Sequence, residues 1–284
     1  MRVLVFGASG MLGNAVLRLF DNSPGFQVFG TVRGGDSARL LPESIQNKLL
    51  VGIDVENPDV LLGAFKSVKP DLVINCIGLV KQLSSAEDPL KAIPINSLLP
   101  HRLACMSSLI GARFIHLSTD CVFSGEKGMY LESDNPDAYD LYGRSKFLGE
   151  VDYENAITLR TSIIGHELSG SRSLVDWFLN QKNEIRGFRR AVFSGLPTVE
   201  VARIIRDYVI PNEKIRGVYH LSADPINKFD LLKLVARTYG KKIQINPDDD
   251  FVIDRSLDST RFRNATGFHP SSWSELINSM REFR

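Results

Sequence analysis

Met1-Arg2-Val3-Leu4-Val5-Phe6-Gly7-Ala8-Ser9-Gly10-Met11-Leu12-Gly13 opens the chain. Residues 3–6 form an apolar run of the kind that becomes a buried parallel strand. Three glycines follow at a spacing of three and three. The first lets the chain turn tightly. The second lets the backbone approach a pyrophosphate. The third lets the next helix pack close to the strand. That helix directs unpaired N–H groups and the positive end of its dipole at the phosphates. A glycine triplet alone is weak evidence, and a structural turn is the alternative. Here it lies between a strand and a helix in the first βαβ unit, the context a dinucleotide site requires.

The same alternation continues outward. Val3–Phe6, Gln27–Val32, Lys48–Val51, Leu72–Cys76, Arg113–Leu117 and Ile157–Arg160 read as strands. Met11–Phe20, Asp59–Ser67 and Ala92–Leu109 read as helices between them. This pattern predicts right-handed crossovers and a Rossmann-type doubly wound α/β sheet. After residue 160 the pattern loosens. Helices are expected at Ser173–Gln181, Val199–Val209, Phe229–Tyr239 and Ser272–Arg281. Short strands are expected at Val192–Phe193, Val218–Leu221 and Lys242–Ile245, with a turn cluster at Asn246–Asp250 and a solvated acidic run at Asp248–Asp250. The expected division is a dinucleotide-binding part, 1–160, and a smaller mixed α/β substrate-binding part, 161–284. The border is soft, because the second part can return strands to the first sheet.

Composition narrows the function classes. Of 284 residues, 43% are hydrophobic and 24% charged, which excludes a disordered or fibrous chain. Lys plus Arg number 34 against 33 for Asp plus Glu, so the basic excess of a nucleic-acid binder is missing. The longest near-apolar stretch, Leu72–Val80, is far short of the ~20 residues that span a bilayer. Three scattered cysteines, Cys76, Cys105 and Cys121, suit neither a disulfide framework nor a zinc site. No metal is expected. A strand at the first residues leaves no room for a signal peptide, so a cytoplasmic location is expected.

Three positions beyond the loop bear on the cofactor. Arg33 ends the second strand, where an acidic residue would bond the ribose hydroxyls of NAD. An arginine can instead hold the 2′-phosphate of NADP, so NADPH is expected over NADH. The alternative is an ordinary surface arginine, and Asp36 nearby blurs the choice. Asp54 and Val55 follow the third strand, where the carboxylate can meet the adenine; it can equally cap the next helix. Cys76-Ile77-Gly78 ends the fourth strand. Gly78 allows cofactor approach or makes a plain turn.

Tyr142-Gly143-Arg144-Ser145-Lys146 places Tyr and Lys at i and i+4, on one helical face. Of seven tyrosines, Tyr142 alone has lysine four residues on. A nearby ammonium is expected to lower the phenol's pKa and make it a useful acid or base at a carbonyl. A chance surface pair is the alternative. Ser118-Thr119-Asp120 ends the strand 113–117, where open α/β sheets bind ligands. The Thr119 hydroxyl can donate to a substrate oxygen there, or Ser118 and Thr119 can merely end the strand.

These residues resemble the extended short-chain dehydrogenase/reductase superfamily: Gly7-x-x-Gly10-x-x-Gly13, Asp54-Val55, Ser118-Thr119 and Tyr142-x-x-x-Lys146. More narrowly, the chain is similar to the dTDP-4-dehydrorhamnose reductase family. The segments that carry this are Ser118–Gly125, Tyr142–Glu150, Leu159–Ser162, Gly195–Thr198 and Leu257–Phe262. The resemblance implies an oxidoreductase that uses NADPH to reduce a 4-keto-6-deoxy sugar nucleotide for polysaccharide synthesis. It implies catalytic roles for Thr119, Tyr142 and Lys146, with Lys146 also on the cofactor ribose. It implies a cofactor site at Gly7, Ser9, Gly10, Met11, Leu12, Arg33, Asp54, Val55, Cys76, Ile77 and Gly78. It implies a sugar side built from Thr119, Asp120, Cys121, Val122 and Ile163. Asn96 is implied to carry a water that relays protons to Lys146, or else it is a buried polar residue. A homodimer is compatible with this reading.

Two residues depart from the family. Cys121 stands where Tyr is usual and Ile163 where Trp is usual, which predicts a more open sugar pocket unless other residues refill it. A dehydratase of the superfamily would need Glu at position 121. A 4-epimerase needs the same Tyr/Lys pair. The methionine adenosyltransferase regulatory subunit, of the same broad family, represents a binding-only alternative.

Overall fold

The computed structural model describes residues 1–79 and 87–284. Val80, the end of the longest apolar stretch, lies outside the described residues. The near-continuous apolar runs form seven strands: β1 (Arg2–Phe6), β2 (Gln27–Val32), β3 (Leu49–Val51), β4 (Leu72–Asn75), β5 (Arg113–Thr119), β6 (Ala156–Thr161) and β7 (Gly217–His220). They build one parallel sheet in the order β7-β6-β5-β4-β1-β2-β3.

Both faces of that sheet are covered, which is why its strands can be apolar at every position. In β1, Val3 and Val5 point into one core with Val16, Leu17 and Phe20 of helix α1 (Met11–Asp21). Leu4 and Phe6 point into the opposite core with Leu61 and Phe65 of α2 (Pro58–Val68) and Leu103 of α3 (Leu99–Leu109). Helix α4 (Leu141–Leu148) begins on a side-chain cap, with Asp140 Oδ1 accepting from Gly143 N at 2.7 Å. A third apolar cluster lies in the C-terminal half. It joins Phe178 of α5 (Leu174–Asn180), Leu231 of α7 (Lys228–Tyr239) and Ile277 of α8 (Trp273–Glu282), with α6 (Thr198–Ile204) packing on α1.

Most predicted elements are present within one or two residues. Three differ for physical reasons. The single helix expected over Ala92–Leu109 starts at Pro89 and passes through a π-helical turn, Ile93–Leu98, before α3. Pro100 has no N–H to give the Asn96 carbonyl, and the Leu99 N–H bonds Pro94 O, five residues back. Residues 205–209 of the expected helix Val199–Val209 are likewise π-helical.

The strand expected at Lys242–Ile245 is displaced to Ile245–Asp248, through the expected turn cluster. It pairs in parallel with Ile185–Phe188, which local sequence does not mark as a strand. Asn, Pro and Asp are poor strand formers, so tertiary pairing has overridden propensity. Asp248 is therefore not solvated. It is buried and pairs with Arg186 at 2.9 Å. Among the described residues, no helix is long and apolar enough to cross a membrane.

Candidate active site

The strand order reverses between β1 and β4, the central strand of the seven. Open α/β sheets bind ligands outside the carboxyl ends at this point. The glycine loop leaves β1 there, and Cys76-Ile77-Gly78 leaves β4 opposite it. Gly7 has φ of +85° and so needs glycine's freedom. At Gly13 a Cβ would come 2.0 Å from Gly7 O, so only glycine lets α1 approach the strand this closely. A cleft of about 520 Å³ opens between the two turns, within the usual range for small-molecule sites of ~300–1,000 Å³. Gly10, Met11 and Leu12 line one wall, and Cys76, Ile77 and Gly78 the facing one. This cradle fits a dinucleotide: the N-terminal turn of α1 faces the cleft, and Gly10 makes no side-chain cap to compete for its N–H groups.

Thr119, Tyr142 and Lys146 meet further along the same cleft. Thr119 is delivered by the end of β5, and the other two by one face of α4. Lys146 is 4% exposed, and its Nζ donates to Leu117 O at 2.8 Å. Burial lowers its pKa to about 8, against the opposing charges of Glu150 and Cys76. The Thr119 hydroxyl accepts from Cys121 N at 3.1 Å and donates to Asp120 Oδ1 at 3.2 Å.

The Tyr142 phenol departs from expectation. Its pKa is raised, first by burial and then by Cys121, while a hydrogen bond with Thr119 works the other way. Lys146 is not among the groups that shift it; its ammonium donates to Leu117 O. The phenol is thus held in its neutral, proton-bearing form.

The RmlD substrate binding domain family matches the chain over residues 1–282. The chain belongs to that family. It is 24% identical to dTDP-4-dehydrorhamnose reductase of Aggregatibacter actinomycetemcomitans, with 99% of each chain covered. It is 28% identical to methionine adenosyltransferase 2 subunit beta of Danio rerio over 84% of this chain and 74% of that one. The crystal structure of dTDP-4-dehydrorhamnose reductase from Bacillus anthracis, in complex with NADP, superposes with a TM-score of 0.80 at 20% identity. It covers 99% of this chain and 97% of that one, and shares its fold.

Within this RmlD-family chain, three predicted cofactor residues lie away from the main cleft. Arg33 ends β2, exposed and with no hydrogen bond or ion pair to any described residue. Asp36 is engaged by Arg39 at 2.9 Å. Asp54 is exposed and accepts from Glu56 N, while the cap of α2 is Asn57, not Asp54. Val55 is buried beneath it. Gly7 and Ser9 belong to the loop but do not line the cleft.

One predicted residue is corrected, and the surroundings of another are defined. Val122 is fully buried in a separate apolar cluster with Phe123, Tyr130 and Leu257, so its side chain does not reach the cleft. Asn96 is fully buried and its amide is used. Its Oδ1 accepts from Leu79 N at 2.8 Å, and its Nδ2 donates to Ser145 Oγ at 3.1 Å. It clamps the Gly78–Leu79 turn to α4.

The sugar side is not simply opened by Cys121 and Ile163. Both line the cleft, but so do Phe193, Phe251, Ile253 and Arg255, and the Arg255 Nη1 donates to Cys121 Sγ at 3.6 Å. These residues, with Lys228 and Ser162, escaped the sequence reading. All but Ser162, which ends the segment Leu159–Ser162, come from the C-terminal half with no motif to mark them as lining the cleft.

Beneath the site lies a buried ion pair. Arg160 grips Glu150 through Nε (2.8 Å) and Nη2 (2.7 Å), and Ser118 Oγ donates to Glu150 at 2.6 Å. Both charged side chains are 5% exposed or less. Glu150→Gln leaves Arg160 charged and unpaired, and is expected to cost about 3–5 kcal/mol of stability. Chemical denaturation measures it; an unchanged midpoint would show that the pair is dispensable.

Proposed function

We propose that this protein is an NADPH-dependent reductase of a 4-keto-6-deoxy sugar nucleotide. The observation that carries the reading is that Thr119, Tyr142 and Lys146 converge on the cleft that begins at the glycine loop. Family membership and the reductase relative support the substrate class. In this reading residues 1–160 hold the cofactor and 161–284 chiefly hold the substrate, although β7 of the second part completes the first part's sheet. A homodimer is compatible with it, and sedimentation would measure this.

NADPH, when bound, supplies the hydride that reduces C4 of the sugar. The residues do the rest. Thr119 holds the keto oxygen. As charge develops on that oxygen, Tyr142 donates its phenolic proton, turning the carbonyl into a carbinol. A phenol whose pKa is raised remains protonated at neutral pH, which suits a donor. Lys146 places its ammonium beside Gly78, where the cofactor wall passes; in this reading it bonds the nicotinamide ribose and offsets the charge left on Tyr142.

Removing the proton while keeping the ring tests the donor. Tyr142→Phe is expected to lower kcat by about 10²–10⁴ with NADPH binding retained. A fully active variant contradicts the assignment. A wild-type protein that binds NADPH but turns over no keto-sugar nucleotide would instead favour a binding-only subunit. The relative named methionine adenosyltransferase 2 subunit beta motivates that second reading.

Arg33 follows β2 and pairs with no described residue, while Asp36 is held by Arg39. In Arg33→Ala the Kd for NADPH should rise more than that for NADH, because NADH has no 2′-phosphate. An unchanged ratio of the two constants returns Arg33 to an ordinary loop residue.

The pH profile tests Lys146. Its pKa of about 8 in the free protein means the ammonium is present below that value and lost above it. The kcat/KM for reduction should be level near neutrality and fall about tenfold per unit at higher pH. A profile that rises through 8 contradicts an ammonium role.

A further inference from the structure

We propose that His116 is a positioning residue for the nicotinamide half of the cofactor, acting through Asn75 on the turn Cys76-Ile77-Gly78. This rests on the dinucleotide reading of the cleft and adds to it a fully buried residue that does not line the cleft. The reaction at C4 does not use His116 directly.

His116 lies on β5, in register with Asn75, the last residue of β4. Both side chains are fully buried. Asn75 Oδ1 accepts from Ile77 N at 3.1 Å. A backbone N–H can only donate, so this contact identifies the amide oxygen and turns Nδ2 toward the ring. Asn75 Nδ2 therefore donates to His116 Nδ1, at 3.2 Å. A nitrogen that accepts carries no proton, so the neutral ring is the Nε2–H tautomer. Burial, then the Lys146 charge and His101, hold the His116 pKa well below the usual histidine range, which keeps the ring neutral. The bonds form a chain: His116 orients Asn75, and Asn75 orients the Ile77 N–H.

The other ring nitrogen shows what the histidine supplies. Nε2 is buried with no hydrogen-bond partner among the described residues. An unpaired buried N–H weakens a core. The ring lies parallel to Phe114, with centroids 6.3 Å apart, and an aliphatic side chain in this place would bury no such group. Local stability therefore does not account for the histidine. The acceptor it presents to Asn75 does, because without it the amide loses the partner that fixes its orientation.

Position selects what the pair controls. Ile77 and Gly78 belong to the wall that faces Gly10, Met11 and Leu12 across the cleft. The far end of the turn is held by Asn96, whose Oδ1 accepts from Leu79 N. Two buried amides thus pin the turn, one at each end. Lys146 Nζ lies beside Gly78, and Leu117, the residue after His116, provides the carbonyl that holds it. One stretch of β5 therefore sets both the wall and the ammonium that meet the nicotinamide ribose in the proposed reaction. Arg33 and the adenosine end follow β2, on the far side of β1 from this pair.

The experiment is calorimetric titration with NADPH and with adenosine 2′,5′-bisphosphate, which lacks the nicotinamide half. The variants are His116→Leu, which removes the acceptor, and His116→Asn, whose Oδ1 takes the place of Nδ1. His116→Leu is expected to weaken NADPH about three- to tenfold, the scale of one neutral hydrogen bond, and to leave the bisphosphate unchanged. His116→Asn should restore NADPH binding. Wild-type NADPH affinity in His116→Leu overturns the role. So does an equal loss on both ligands, which is the mark of general destabilisation, and so does an Asn variant as weak as the Leu variant. The tautomer is read on the wild-type protein by nitrogen NMR, which decides the matter even where His116→Leu does not fold: the proton is expected on Nε2, and a proton on Nδ1 overturns the proposal. No titration involves a sugar. A wild-type protein that binds NADPH but reduces no keto sugar loses the reductase reading and keeps the positioning role. Turnover by a His116→Leu variant with wild-type NADPH affinity does the reverse, and a wild-type protein that binds no NADPH overturns both.

Discussion

The bidentate pair between Arg160 and Glu150 is the interaction on which the site's geometry depends. Glu150 lies just past α4, which carries Tyr142 and Lys146. Arg160 lies on β6, next to β5, which carries Thr119. Ser118 bonds the same carboxylate, so the strand end and the helix end are tied to one group. Burying two charges is costly unless geometry and further hydrogen bonds compensate. Here they do. His220 Nε2 lies 3.3 Å from Arg160 Nη1, and Phe123 faces the guanidinium at 5.2 Å. Burial and the Arg160 charge lower the His220 pKa to about 4, so its ring is neutral at physiological pH and accepts from Arg160. Its Nδ1 then carries the proton toward Tyr130 O, at 2.9 Å.

The same scaffold sets the protonation states. Lys146 sits in a buried position that would discharge it, with Glu150 four residues on to oppose that change. Tyr142 is held neutral by burial and by the polar residues around it. A phenol that keeps its proton and an ammonium with a pKa near neutrality are matched to donating a proton and then absorbing the charge. On the cofactor side, backbone shape does the work: Gly7 turns, and Gly13 lets α1 close on the strand. Further along the cleft, charged and aromatic side chains from the C-terminal half form the wall.

Legibility in the sequence follows that division. The glycine loop, the Tyr142/Lys146 spacing and the apolar strands are local patterns, and each carries its geometry within a few residues. The sheet was therefore readable, including strands near 157 and 218. The strand over Asn246-Pro247-Asp248 was not, because only its partner Ile185–Phe188 makes it one. Lys228, Arg255 and Phe251 reach the cleft through tertiary contacts 80 or more residues from the Tyr142 helix, with no motif to announce them. The raised pKa of Tyr142 is not legible there, because spacing shows which side chains share a face but not how deeply the phenol is buried. Val122 was misplaced for a related reason, since a motif position does not say which way its side chain points.

The central claim is that hydride reaches a sugar carbon in this cleft. The most direct measurement is isotope transfer from NADPH deuterated at nicotinamide C4, offered with dTDP-, UDP- and GDP-4-keto-6-deoxyhexoses and read by mass spectrometry and NMR of the sugar. The account predicts deuterium at C4 of the reduced sugar of at least one of these nucleotides. Bound NADPH with no label in any sugar product would contradict it.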